Sequence, residues 1–142
     1  MAGILAEPIQ GVGGFITPPD AYFNIVSDII HEHGGVFISD EVQTGFGRTG
    51  ENFAHQLFGV KPDIMGCGKA AGGGILPVSF VAGSDEVIGT LTPGSEGSTF
   101  GGYPLGAIVG IYAIKVLEDG RLVGASSRGL SIKDFSGWRC HA

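Results

Sequence analysis

Four polar side chains follow short apolar stretches of the sequence, and their types and spacing could do chemistry: Glu7, Asp40, Lys69 and, more loosely, Thr99. Lys69 follows a glycine, and a bare backbone lets a ligand approach closely. Partial desolvation favours the nucleophilic amine form of a lysine, and an acid on a neighbouring strand could hold a cationic ring nitrogen. By itself this spacing is only suggestive, because lysines at strand ends are more often structural.

The elements that must position these side chains alternate between strand and helix. An apolar run over 2–6 predicts a buried strand that ends at Glu7, and apolar residues at helical spacing predict a helix over 21–33. A second apolar run over 36–38 closes on Asp40. This order is typical of a βαβ unit, so we expect an α/β fold with a mostly parallel sheet flanked by helices. Ligands bind beyond the carboxyl ends of such strands.

Further short elements are expected downstream. We predict a short helix over 53–58, a third strand over 63–65, a fourth strand over 77–83 and a short helix opening at Ser84. A long helix should run from Pro104 to Leu117, with an apolar face made of Leu105, Ile108, Val109, Tyr112 and Val116.

Composition narrows the class of protein. The net charge of −6 argues against a nucleic-acid partner, and no apolar run approaches the roughly 18 residues of a membrane span. Cys67 and Cys140 form no metal or redox motif, so we expect no metal site and two unpaired thiols. We expect a cytoplasmic protein, or one in an organelle matrix if a targeting segment precedes Met1. Only 15% of residues are charged, which suggests a surface partly covered by a partner subunit or by further chain.

Gly68-Lys69 could also end a phosphate-binding P-loop, G-x-x-x-x-G-K-[ST]. That motif needs glycine where the sequence has Asp63 and a hydroxyl residue where it has Ala70. The ATPase interpretation is therefore excluded.

The chain resembles the class III, ornithine and acetylornithine aminotransferase-like, pyridoxal-phosphate (PLP) enzymes. The resemblance covers about the first 120 residues and rests on EPIQG at 7–11, SDEVQTGFGRTG at 39–50, PDI at 62–64 with GK at 68–69, and GSTFGG at 97–102. The motifs occur in the family's order and at its separations. The resemblance implies PLP fold type I, with 1–123 as a central part of the PLP-binding large domain. We interpret 124–142 as a tail of unclear structure.

The resemblance also implies a role for each motif residue. Lys69 would form the Schiff base with PLP and shuttle the proton, and Asp40 would pair with the pyridine nitrogen. Val42 would pack on the ring, and Gln43 would hydrogen-bond its phenolic oxygen. Ser98 and Thr99 would contact the phosphate of the cofactor in the neighbouring subunit, which requires a homodimer. Glu7 is near the site in relatives, with a less defined role.

Several alternatives stay open. Asp40 and Glu41 could be a solvated strand end, and Thr99 a turn residue. Arg48 is interpreted as a loop residue tied to a carboxylate rather than a substrate clamp, and the three histidines His31, His33 and His55 as non-catalytic.

The activity implied is transfer of an amino group from an amino acid or ω-amine to a 2-oxo acid. Val12 stands where ornithine-specific relatives carry a glutamate, so the substrate stays open. The family's phosphate loop and small domain are expected outside this chain. An inactive fragment or relic of such an enzyme is therefore the alternative, and a glycine-rich nucleotide-binding module without catalysis is a weaker third.

Overall fold

The structure is a computed structural model that describes residues 2–119. Four strands are present in this part of the chain: β1 (Gly3–Ala6), β2 (Val36–Asp40), β3 (Ile64–Cys67) and β4 (Phe80–Gly83). Three α-helices accompany them: α1 (Tyr22–Glu32), α2 (Asp85–Ile88) and α3 (Pro104–Asp119). Two short 3₁₀ helices, Ala54–Phe58 and Lys69–Gly72, complete the list.

The strands form one mostly parallel sheet in the order β1-β2-β3-β4. β1, β2 and β3 run parallel, whereas β4 is antiparallel to β3. The α/β fold class predicted from the sequence is confirmed. β4 begins at Phe80 and not at 77 as predicted, and a proline at 77 has no N–H to give to a strand ladder.

Helix α1 packs on the sheet through residues spaced three to four apart. It buries Phe23, Ser27 and Ile30, while the apolar side chains of Tyr22 and Ile29 are about half exposed. The ring of Phe23 contacts those of Phe37 and Phe58 at centroid distances of 5.7 and 5.1 Å. This aromatic cluster joins α1, β2 and the first 3₁₀ helix into one core.

A carboxylate at the opposite end of the strands also ties α1 to the sheet. Asp63 Oδ2 accepts hydrogen bonds from the Phe37 backbone N–H at 2.7 Å and from His31 Nε2 at 2.8 Å. Burial alone would raise the pKa of Asp63, but the hydrogen bonds from His31 and Phe37 outweigh it, so the pKa lies below its ordinary value. His31 is thus structural, as predicted.

Helix α3 packs on the described chain with a stripe of its surface that lies beside the apolar face predicted for it. Gly106 and Gly110 are buried, whereas Leu105, Ile108, Tyr112 and Val116 are more than half exposed. A Cβ built on Gly110 would lie 3.7 Å from the Ala71 carbonyl oxygen, an ordinary contact distance, so this part of the helix lies directly against the second 3₁₀ helix. The large apolar residues predicted for one face of α3 are therefore only partly covered by residues 2–119, which pack on the glycines beside that face.

No helix among residues 2–119 is both long and apolar enough to cross a membrane. The tail predicted at 124–142, with Cys140, lies outside the described residues.

Candidate functional site

The carboxyl ends of the three parallel strands bring the predicted site residues to one edge of the sheet. Glu7 directly follows β1, Asp40 is the last residue of β2, and Lys69 follows β3 after one glycine. Asp40 is in register with Gly66, three residues before Lys69. The parallel topology therefore gathers residues that are 33 and 29 positions apart in the sequence.

One carboxylate oxygen of Asp40 accepts a hydrogen bond from the described chain, and the other does not. Its Oδ1 accepts a hydrogen bond from the Val42 backbone N–H at 3.0 Å. Within residues 2–119 nothing donates to Oδ2. This half-buried carboxylate can accept one strong hydrogen bond from a cationic ligand.

Lys69 is held in an unusual backbone conformation. Its φ of +44° lies in the left-handed region, which costs a non-glycine residue roughly 1 kcal/mol. Its Nζ donates a hydrogen bond to Gln43 Oε1. The turn thus points the amine back toward the end of β2, where Asp40 lies.

Two glycines bring backbones close to this cluster. A Cβ on Gly68 would lie 3.4 Å from Val42 Cγ1, so Val42 packs over the residue preceding Lys69. A Cβ on Gly11 would lie 3.5 Å from Gln43 Cγ, and the Gly11 N–H donates to Glu7 Oε2 at 2.9 Å. Glu7 therefore holds the backbone of a loop that passes beside Gln43, the hydrogen-bond partner of Lys69.

Glu41 is the residue whose importance the sequence interpretation missed. The possibility that Asp40-Glu41 is a solvated strand end is wrong for Glu41, because its side chain is 0% exposed. Ser39, Thr44, Ala54 and His55 all donate hydrogen bonds to its carboxylate. The hydroxyl residues at 39 and 44 were the signal, since serine and threonine so close to a carboxylate can bond it locally.

Cys67, the last residue of β3, is 2% exposed. Burial, together with the negative charges of Glu41 and Asp40, raises the pKa of its thiol to about 11. Cys67 is therefore a neutral packing residue at neutral pH, as predicted for an unpaired thiol.

Ser98 and Thr99 lie in an exposed loop and are not brought to Lys69. Ser98 lines a separate cavity of about 480 Å³ with Ser79, Phe80 and Tyr103. Within one described chain, the two residues form no site with Asp40 and Gln43.

A larger cleft of about 880 Å³ separates the second 3₁₀ helix from α3, and its lining is mainly apolar. Arg48 and Lys69 line it, but Asp40, Val42 and Gln43 do not. The cleft therefore reaches the cluster only at Lys69, and the residues at the end of β2 lie outside it.

Arg48 forms no ion pair within residues 2–119, so the carboxylate partner expected for it is not found there. The ring nitrogens of His33 and His55 bond the carbonyl oxygens of Ile29 and Val60, as expected of non-catalytic residues.

Comparisons with known proteins identify the family of the chain. A family model described as aminotransferase class-III matches residues 1–131. The ornithine aminotransferase of Oceanobacillus iheyensis is 50% identical over 125 residues, which cover 88% of this chain and 31% of that protein. The chain thus spans about a third of the length of such relatives.

Solved structures superpose closely on the chain. Plasmodium falciparum ornithine δ-aminotransferase matches with a TM-score of 0.85 and 42% identity, over 91% of this chain and 34% of its own. Toxoplasma gondii ornithine aminotransferase, described with PLP at partial occupancy in its active site, gives 0.84 and 40% over 87% and 29%. Acetylornithine aminotransferase from Elizabethkingia anophelis gives 0.83 and 40% over 87% and 32%.

Proposed function

This chain belongs to the class III aminotransferase family, and from that premise we propose that the whole protein moves an amino group from an amino acid or ω-amine to a 2-oxo acid. The observation that carries the proposal is the hydrogen bond from Lys69 Nζ to Gln43 at the sheet edge that also presents Asp40. The amine, the amide and a carboxylate with one free oxygen are the functional groups that amino-group transfer needs at this edge.

The residues present fit PLP, the cofactor that this family uses. Asp40 Oδ2 has no partner among the described residues and can take the proton-bearing ring nitrogen of a pyridine. Gln43 lies beside the lysine amine and can bond the ring oxygen next to the aldehyde. When bound, PLP supplies an electron sink that stabilises a carbanion on the amino acid.

Each residue of the chain then has a defined task. Lys69 would hold the cofactor through its Nζ and would move the proton as general base and acid. Asp40 would hold a proton on the ring nitrogen by charge and hydrogen bonding. Val42, which already packs over Gly68, would support one face of the ring, and Gln43 would orient it.

Ser98 and Thr99 suggest a homodimer. Both are exposed and lie in a loop away from the Lys69 cluster, so their hydroxyls are available to another subunit. We propose that they contact the phosphate of the partner's cofactor, which makes the partner subunit part of each site.

The amino donor is best sought among ornithine-like compounds. Ornithine and acetylornithine aminotransferases are both among the proteins similar to this chain. Val12 is fully exposed in the loop after Glu7, where the resemblance predicts a glutamate in ornithine-specific enzymes. L-Ornithine, N-acetyl-L-ornithine and an ω-amine with 2-oxoglutarate are therefore the first substrates to compare.

The test is borohydride trapping of PLP on the full-length protein, followed by peptide mapping. We expect one pyridoxyl group on Lys69, none on the Lys69→Ala variant, and normal labelling of Lys61→Ala, which changes an exposed lysine outside the cluster. Labelling spread equally over Lys61 and Lys69, or unchanged in Lys69→Ala, would refute the proposal.

The alternative is that the 142-residue chain by itself is inactive. The exposed apolar face of α3 favours it, because such a surface is ordinarily covered. Under the same conditions the isolated chain should then trap much less PLP on Lys69 than the full-length protein. Equal trapping would show that the cofactor site is complete without the rest.

A further inference from the structure

We infer that Glu41 is a positioning residue for this site: it sets the conformation of the turn that presents Asp40, Val42 and Gln43. The inference rests on the proposed function and adds a residue to it. We call residues 40–45 the β2 turn.

Glu41 is an anion buried without a cation. No Lys, Arg or His side chain within residues 2–119 forms an ion pair with it. Instead, its Oε1 accepts from Ser39 Oγ at 3.3 Å and from the His55 N–H at 2.8 Å. Its Oε2 accepts from Thr44 Oγ1 at 2.6 Å and from the Ala54 N–H at 3.0 Å. Four donors compensate for the hydration that the carboxylate loses on burial.

These bonds close the β2 turn around the residues that face the site. Val42 and Gln43 lie between Glu41 and Thr44, which are joined through their side chains. The Gly45 N–H also donates to the Glu41 carbonyl oxygen at 2.9 Å, and the Glu41 N–H donates to the Gly66 carbonyl oxygen at 2.9 Å. Rotation of the turn would therefore break bonds to Glu41 before it moved Gln43.

The same carboxylate fixes the turn to a distant segment. Ala54 and His55 are 13 and 14 residues further along the chain and open the first 3₁₀ helix. That helix ends at Phe58, whose ring packs on Phe23 in the core. Glu41 thus connects the β2 turn to the aromatic core through the first 3₁₀ helix.

A consequence for function follows from the alternating directions of the side chains. Glu41 points into the protein, whereas its neighbours Asp40 and Val42 are only half buried and Gln43 is exposed. Loss of the inner anchor should therefore misplace Gln43 and Asp40 together, because both belong to the same short turn. Small errors of this kind are costly in active sites.

The experiment uses the full-length protein, three variants of the β2 turn and one control variant. Glu41→Gln keeps the shape but points an amide N–H₂ at groups that are themselves donors. Thr44→Val removes one donor and leaves the charge, and Thr44→Ser restores the hydroxyl. Asp28→Asn, at an exposed carboxylate on α1, is the control.

The readouts are the Kd for PLP, the pH midpoint of the bound cofactor's absorbance, and kcat with L-ornithine, N-acetyl-L-ornithine and an ω-amine. We expect Glu41→Gln to weaken PLP binding and kcat by about 10- to 100-fold, and Thr44→Val by about 10-fold. Both should shift the pH midpoint, and Thr44→Ser should return every value to within about twofold. Asp28→Asn should match the unmodified protein.

A purely structural Glu41 gives a different result. Both variants would then lower the Tm but keep the Kd, the pH midpoint and the kcat of the folded protein, which would overturn the inference. If Glu41→Gln does not fold, the comparison of Thr44→Val with Thr44→Ser decides whether Glu41 positions the site. Absence of trapped PLP on Lys69 in the unmodified protein would overturn the proposed function as well, whereas normal trapping with unaffected variants overturns only the role of Glu41.

Discussion

The β2 turn and helix α3 differ in how far their side chains are buried by the rest of the described chain. Residues 40–58 are tied inward, through the buried carboxylate of Glu41 and the rings of Phe53 and Phe58. Helix α3 buries only Gly106 and Gly110, packs Leu117 against the core, and leaves Leu105, Ile108, Ile111, Tyr112 and Val116 about half exposed or more. The β2 turn is therefore largely held by the described residues, whereas α3 presents an apolar surface of the kind that is ordinarily covered.

The largest expected effect is a difference in the free energy of unfolding between variants of these two regions. Phe58→Ala should lower the free energy of unfolding of this chain by about 4 kcal/mol, because it empties a packed aromatic site. Ile108→Ala should change it by about 0.5 kcal/mol or less, since that side chain is 52% exposed. Urea unfolding followed by circular dichroism measures both.

The same pair of variants sharpens the contrast in the full-length protein. If the remaining chain or a partner covers α3, Ile108→Ala should there cost about 2 kcal/mol or more. Equal costs for Phe58→Ala and Ile108→Ala in the isolated chain would contradict the distinction between an anchored and an uncovered region.

The next effect is a pH dependence at the end of β3. The Cys67 pKa is raised to about 11 from an ordinary 9.0, so the folded thiol stays protonated while the unfolded thiol ionises. Its contribution to stability is therefore complete below pH 9 and is lost as the pH rises toward 11, at up to about 1.4 kcal/mol per pH unit.

Unfolding free energies of the unmodified chain and of Cys67→Ala at pH 8, 9, 10 and 11 isolate this contribution from other groups that titrate in the range. The two proteins should converge as the pH rises. Parallel curves would mean that the thiol ionises equally easily in the folded and unfolded states.

The smallest effect tests the anchoring of α1 to the sheet. Asp63→Asn should lower the free energy of unfolding by about 1 to 2 kcal/mol at pH 7, because it weakens the bonds from His31 and Phe37. Since the folded pKa of Asp63 is lowered, its contribution is present above the ordinary value of 3.8 and is lost as the pH falls through the lowered one.

Thermal or urea unfolding at pH 7 and near pH 3 checks the sign, with Asp20→Asn as an exposed control. The difference between Asp63→Asn and the unmodified chain should shrink at the lower pH. If the difference in unfolding free energy grew at the lower pH, the pKa of Asp63 would be raised in the folded protein and not lowered.

Much of the candidate site was predictable because its residues follow three strands that are neighbours in the sheet in the same order as in the sequence. Apolar runs that end at Glu7 and Asp40 predicted the βαβ order, a third strand was predicted over 63–65, and the structure places the ends of these strands at one edge. The roles of Asp40, Val42, Gln43, Lys69, Ser98 and Thr99 stay predictions. Glu41 was not found from the sequence, because two of its four donors are amides 13 and 14 residues away.

The sequence by itself determined the class of fold, the family and which residues meet at the strand ends, since periodicity and motif spacing are local properties of the chain. Only the tertiary structure decided which side of α3 is buried and which carboxylate of Asp40-Glu41 faces inward. Both outcomes depend on which groups from distant segments come close enough to exclude water, and that information is not contained in any short stretch of sequence.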